Sequence, residues 1–466
     1  MGIGPNKSVA AFGKADEARR DAAGHSRGEV CSAKAGQSGA NARSQAAPSC
    51  SSFAVPFGTK RAQAMSELTP DEAKVTAWLA SRKDAMVALL REMVDTDSGS
   101  YDKPGVDRAG QVLARFHEAN GLSVEIIPDA RYGDAVKARL PNPAANDQRP
   151  VLLLGHRDTV FPEGEPTRRP FTIKAGRAYG PGVADMKAGL VIEAFVAAAF
   201  AECGGLSAPL TMLTTSDEEI ASPSSRPIIE AAARESRCVF NAEPSRLPPG
   251  TEFLRDHKQS ITSGRKGGVF MRAEFVGKAA HSGANYEKGV SAIVDLGHKI
   301  PKLQGLTDLE RGVTVNVGLI GGGQTVNTVA PHAWCEIDLR YVTAAQRDEL
   351  VSAIRGIIET PIVEGSSAKL TIKGEFVPLE RTPEAVALYD TYRDAAASFG
   401  ISVSAEFTGG CADSGFTAAQ GCPTLCSVGP IGGMAHTPDE FLEVESIVPA
   451  AQVLALAVMR TAARME

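Results

Sequence analysis

Aromatic residues are scarce: Phe, Trp and Tyr make up 6% of the 466 residues, and only two are tryptophan. Cysteine is thin as well, eight in all and scattered: Cys31, Cys50, Cys203, Cys238, Cys335, Cys411, Cys422 and Cys426. A chain this long does not need disulfide staples, so these read as the reduced thiols of a cytoplasmic protein. Cys422 and Cys426 lie in "GCPTLCSVG", which reads as a turn feeding a buried strand, with cysteine as a small hydrophobe rather than half of a metal site. An excess of one charge is missing too, since 49 Lys and Arg face 55 Asp and Glu for a net of −6. Nucleic-acid binders carry a basic face, so no nucleic-acid partner is expected. No continuous apolar run approaches the roughly 20 residues that span a bilayer, so no membrane partner is expected either.

What the chain does have is aliphatic mass and length. Hydrophobic residues reach 43%, and the length is about three times the ~150-residue soft prior for one domain, so two or more folded units are expected. Charge divides unevenly along it. Residues 1–64 hold nine Lys and Arg against four Asp and Glu, a net of +5 that leaves −11 for the rest. This segment is rich in Ala, Gly and Ser and has no periodic apolar face. It reads as disordered, or as an extension upstream of a true start at Met65. It lacks the apolar core of a secretory signal, and Asp16, Glu17, Asp21 and Glu29 argue against an acid-poor presequence.

Residues 66–97 read as one amphipathic helix, capped by Ser66 or Thr69, with Pro70 in its first turn. A helix over 107–120 and a strand over 123–127 follow. "RPVLLLGHRDTVFP" is then a short aliphatic run that ends in polar residues, the pattern of a buried parallel strand opening into a site. "APLTMLTTSDEE" and "SRCVFNAEP" repeat it, with the helix "DMKAGLVIEAFVAAAFAECGG" between. This alternation predicts an α/β unit with a mostly parallel sheet. Near Ser263 the character changes to alternating strands: "GVFMRAEFV", "TVNVGLIGGG", "HAWCEIDLRYV" and "SAKLTIKGEF", with helices over 290–299 and 344–359. That predicts an inserted α+β domain of four strands and two helices. After Phe376 the α/β pattern returns and ends in an apolar helix over 447–465. The expected parts are 65–262 and 377–466 for one catalytic domain and 263–376 for the insert.

Acids and histidines stand at the ends of the apolar runs: His156, Asp158, Asp185, Asp217, Glu218, Glu219, Glu243 and His436. Buried carboxylates are costly unless paired or bound to a cation. Several aimed at one sheet edge would repel one another, and a pair of divalent metals resolves that. Histidine with Asp and Glu, and no Cys, is a donor set for Zn²⁺ that tolerates Co²⁺ or Mn²⁺. Gly-rich "GLIGGGQT" lacks the Lys-Ser/Thr and the helix of a phosphate cradle, so it reads as a turn between strands.

Residues 70–466 resemble the M20 metallopeptidases, and among them the carboxypeptidase G2-like glutamate carboxypeptidases. The motifs that carry this are "GHRDTV", "GPGVADMKAG", "TTSDEE", "NAEP", "GKAAHSG", "GGGQTVNTVAP", "IDLRY", "GGCADSGF" and "GGMAHTPDE". The resemblance implies a zinc-peptidase-like catalytic domain interrupted by a lid that also makes a homodimer. It implies two Zn²⁺ per subunit, bridged by Asp185, with His156 and Glu243 on one and Glu219 and His436 on the other. Glu218 would be the general base on a metal-bridging water, and Asp158 would hold the far nitrogen of His156. A cis peptide at Asp185–Met186 is implied. So is His281 as an oxyanion donor arriving from the partner subunit, with Arg340 clamping a substrate carboxylate and Asn327 beside it.

The expected activity is a di-zinc hydrolase that releases a C-terminal amino acid from a small peptide or N-acyl amino acid. The alternative is a deacylase of the acetylornithine or succinyl-diaminopimelate type. A catalytically inactive binding protein on the same fold would require a lost ligand, and none is lost. One departure bears on glutamate. Where a second Arg often follows the last lid strand, this chain reads "IKGEFVPLERTP", with Glu375 near the place and Arg381 late. Arg157 is the basic residue available to substitute.

Overall fold

The computed structural model describes residues 67–464, so the expectations for residues 1–64 lie outside the described residues. The first predicted helix is two, Pro70–Ala80 and Lys83–Val94. Thr69 opens the first through a reciprocal capping box with Glu72, the side chain of each accepting the other's backbone N–H. The break falls at Ser81 and Arg82. Arg82 leaves helical geometry and lays its guanidinium over the Trp78 ring at 4.7 Å. The turn lets both helices bury a face: Val75 and Leu79 from the first, and Met86, Leu90 and Met93 from the second.

An eight-stranded sheet organises the larger part. At its centre Val151–His156 lies parallel to both Leu210–Thr215 and Cys238–Asn241, and Thr424–Cys426 continues the parallel set. Ser123–Ile127 and Ala135–Leu140 add an antiparallel edge, and Lys258–Arg265 with Ser402–Thr408 complete the other side. The strand Ala135–Leu140 was not foreseen; "AVKARL" alternates too briefly to stand out. The central strands are buried at every position, as the aliphatic runs required. The helix Ala188–Cys203 is buried from Ala188 through Phe200 without a polar face, so it is a core helix rather than a surface one.

The closing helix, Ile447–Arg464, packs against Pro70–Ala80, Ala188–Cys203 and Pro383–Ala397. Counted from Val444, this segment is long and apolar enough to cross a membrane by length and composition, contrary to the expectation from the sequence. In the fold 72% of its most apolar window is buried, because a helix hydrophobic all round also suits a core.

The predicted insert forms a second sheet, in the order Thr314–Gly322, His332–Tyr341, Gly267–Val276, Ser367–Phe376, with every neighbour antiparallel. Helices Ala292–Gln304 and Ala344–Glu359 cover one face and give it a core of its own, built on Val269, Met271, Phe275, Ile337, Leu339 and Ile354. The turn expected at "GLIGGGQT" joins the first two strands of this sheet. A third, small sheet was not foreseen. It pairs Thr172–Lys174 and Arg177–Tyr179 with Phe441–Glu443 and Gly432–Gly433. These strands are two or three residues long, too short for periodicity to register.

Candidate metal centre and its two cavities

The three central parallel strands end at the same edge, and that is why distant acids meet there. His156 closes Val151–His156, Glu218 and Glu219 follow Leu210–Thr215, and Glu243 follows Cys238–Asn241. Asp185 sits on the turn before Ala188–Cys203, with a cis peptide to Met186 as the resemblance implied. The small third sheet carries the loop with His436 to the same point.

The distances are those of a ligand cage. Nε2 of His156 lies 3.3 Å from Oδ1 of Asp185 and 3.5 Å from Oε1 of Glu243. Nε2 of His436 lies 3.4 Å from Oδ2 of Asp185 and 3.1 Å from Oε2 of Glu219. Donors about 2.0–2.1 Å from a tetrahedral metal stand roughly 3.3–3.4 Å from each other, so these spacings fit two such centres sharing Asp185. Nε2 of His156 is buried yet has no hydrogen-bond partner among the described residues, which fits an atom aimed at a cation. Oε2 of Glu218 stands 3.8 Å from the same nitrogen.

Asp158 binds the segments together. It accepts from the backbone N–H of Glu218 at 3.1 Å, from that of Glu219 at 3.2 Å and from the Ser100 hydroxyl at 2.7 Å. Its Oδ1 also lies 3.3 Å from Nδ1 of His156. Glu440, fully buried, accepts from the N–H groups of Gly182 at 3.0 Å, Ala184 at 2.8 Å and Asp185 at 3.0 Å. It thereby fixes the turn that presents Asp185. Sequence reasoning missed this role, although Glu440 lies four residues from His436 in "HTPDE". Asp413, also buried, bonds the hydroxyls of Ser222 and Thr215, tying the "GGCADSGF" loop to the strand and turn that flank Glu218.

The electrostatics are those of crowded acids. Burial pushes Glu218 well above the ordinary carboxyl range; His156 opposes that, and Glu243 and Glu219 reinforce it. Burial likewise lifts Glu219 to about 7, against its bond to His436. Burial would lower His156, but Glu218, Asp158, Asp185 and Glu243 outweigh it and raise it well above its usual value. Bonds to Asp185 and Glu219 raise His436 to about 10. Burial would raise Asp185, yet the two histidines hold it far below the usual range. Four carboxylates against two imidazoles leave negative charge that divalent cations would balance.

A cavity of about 730 Å³ opens over this centre, lined by Asp185, Glu218, Glu219, Glu243 and His436. Arg340 lines its far part, as expected, with Nε 2.8 Å from Oδ1 of Asp338 and its guanidinium over the Phe270 ring. Two further arginines line it, Arg246 and the buried Arg265. Arg265 stands in "SGRKGG", where the chain passes into the second sheet, a stretch that reads in the sequence only as a boundary. Arg157 does not serve the cavity. Its buried guanidinium donates to the carbonyls of Val106, Asp134, Thr214 and Thr215 and so acts as a backbone clamp. Glu375 is taken by Arg347 at 2.7 Å, and Arg381 is not among the lining residues. His281 and Asn327 lie together, the Ser282 N–H donating to the Asn327 carbonyl at 3.0 Å. Both are exposed, and neither lines this cavity.

The model of peptidase family M20/M25/M40 matches residues 152–460. Carboxypeptidase G2 of Pseudomonas sp. (strain RS-16) is 25% identical over 371 residues, 78% of this chain and 86% of that protein. The acetylornithine deacetylase of Edwardsiella ictaluri is 28% identical over 394 residues, 79% of this chain and 96% of that protein. Among solved structures, an M20 family metallo-carboxypeptidase from Sulfolobus solfataricus superposes with a TM-score of 0.66 at 18% identity, covering 80% of this chain and 98% of that one. With its family model matched over 309 of 466 residues and the fold shared, the chain belongs to peptidase family M20/M25/M40.

Proposed function

We propose that this protein is a di-metal amide hydrolase that releases a C-terminal amino acid from a small peptide or an N-acyl amino acid. The observation that carries the reading is Asp185, whose two oxygens face His156 and His436 separately, each histidine with a second carboxylate at ligand spacing. His156, Asp185 and Glu243 would hold one cation and Asp185, Glu219 and His436 the other, with Zn²⁺ suited to the donors. When bound, such a pair polarises an amide carbonyl and acidifies water.

Glu218, beside both ligand sets, takes a proton from the attacking water and delivers it to the departing nitrogen. Asp158 holds His156 in one tautomer. Arg340, with Arg265 behind it, attracts the substrate carboxylate into the cavity. The exposed pair His281 and Asn327 suits delivery to the centre of a second copy, so the insert serves as lid and dimerisation domain. The deacylase reading rests on the acetylornithine deacetylase relative and differs only in the acyl group released.

The test is metal analysis joined to a hydrolysis screen on N-acyl amino acids and dipeptides. About two Zn per chain are expected, with Glu218→Ala keeping its metal and losing about 10²–10⁴-fold in kcat. An active Glu218→Ala variant would sink the mechanism.

A further inference from the structure

Glu219 is a wall shared by two cavities. The first, over the metal centre, holds Arg246, Arg265 and Arg340. The second, of about 630 Å³, opens on the other side of Glu219 and has no Lys or Arg among its described lining residues. Its walls are Tyr101, Pro104, Val160, Phe161, Pro162 and Ile220. Tyr101 is 80% exposed and Val160 44%, so apolar surface faces solvent directly beside the centre. The acids on its rim, Asp102 and Glu163, make it hostile to an anion.

The walls are pinned to the centre. The Thr159 N–H donates to the Ser98 carbonyl at 2.9 Å, and the Ser100 N–H returns to the Thr159 carbonyl at 3.2 Å. The Ser100 hydroxyl bonds Asp158, the carboxylate that faces His156. At Gly99 the two loops touch so closely that a Cβ would stand 2.4 Å from the Phe161 carbonyl oxygen. This cavity is therefore a built extension of the site.

A substrate whose carboxylate lies among the arginines, and whose scissile carbonyl lies at Glu218, must send its acyl group past Glu219. We propose that the second cavity is the acyl subsite, and that the substrate carries a bulky apolar acyl group, aromatic or branched, rather than acetyl or succinyl. This rests on the amide-hydrolase reading. Acetyl would leave most of the cavity empty, and succinyl would bring a carboxylate against Asp102 and Glu163.

The test compares N-acetyl, N-succinyl and N-benzoyl forms of alanine and of glutamate on the zinc-loaded protein. Calorimetric titration of the same compounds into Glu218→Gln supplies a readout free of turnover. Benzoyl should exceed acetyl by at least about tenfold in kcat/KM, the scale on which apolar pockets discriminate, with succinyl lowest. The double variant Tyr101→Ala/Val160→Lys changes two exposed side chains. It should erase the benzoyl advantage, leave acetyl within about twofold and raise succinyl. A flat acyl series, or an equal loss for every acyl group, overturns the proposal. So does a variant whose dimer dissociates in sedimentation while its acyl ratios stay unchanged, since the cavity would then seat a loop of a second copy. If no compound is hydrolysed, the functional reading fails by itself. The subsite then stands on tighter binding of benzoyl than acetyl by Glu218→Gln, and falls if the two bind equally.

Discussion

Glu440 shows how much one residue can decide without touching a cation. Its carboxylate accepts three backbone N–H groups from the turn that presents Asp185. Glu440→Ala should weaken metal binding by about 10–100-fold, the usual effect of removing a ligand's support, as read by calorimetric zinc titration. Glu440→Gln should lie between, since its amide nitrogen cannot accept. His117 is a second such residue, far from the site. It is 3% exposed on the helix Lys103–Ala119, and burial lowers it from 6.5 to about 4. The unfolded chain therefore binds this proton more readily than the fold, so stability is complete above pH 6.5 and is lost as pH falls toward 4. The full loss is about 3 kcal/mol. Urea unfolding of His117→Leu and the parent should converge as the pH is lowered through that window; parallel pH curves would contradict it.

At the level of elements, the site depends on close approach between a helix and a strand end. Gly189, in the first turn of Ala188–Cys203, lies so near the carbonyl of Ala242 that a Cβ would stand 2.0 Å from its oxygen. Ala242 immediately precedes Glu243. Gly189→Ala must push the two apart, at a cost of about 1–3 kcal/mol in guanidinium unfolding, as overpacking usually costs. Wild-type stability in that variant would mean the helix can shift freely. The same scale explains what could be read beforehand. Long aliphatic runs announced the central strands, and strict alternation announced the four strands of the insert. The strands of two or three residues that hold the His436 loop carried no readable period. The single helix expected over 66–97 broke at Ser81–Arg82, where no Pro or Gly marks the turn and packing of two apolar faces decides it.

At the scale of the whole molecule, His281 and Asn327 stand on a surface apart from the cavity. If they serve a second copy, mixing His281→Ala with Glu218→Ala subunits should restore part of the activity that each lacks alone. Absence of recovery, with subunit exchange demonstrated by mass, would assign them to another role. Charge also reads differently at this scale. The −11 of residues 65–466 includes Asp158, Asp185, Glu218, Glu219 and Glu243, gathered at one sheet edge. Much of that acidity is local, and two divalent ions would offset it.

The sequence alone determined the ligand types and the strand ends that carry them, because apolar runs and buried acids are local patterns. It also carried the family motifs in order. Which guanidinium faces the cavity was settled only by tertiary structure. Arg157, next to His156 along the chain, turns away to hold carbonyls, while Arg265 reaches the cavity from a boundary segment. The second cavity beside Glu219 was equally invisible. It is made where the loop after Lys83–Val94 meets the loop after Val151–His156. Ser100 and Asp158, bonded across that junction, are 58 residues apart, and contact over such a separation leaves no pattern along the chain.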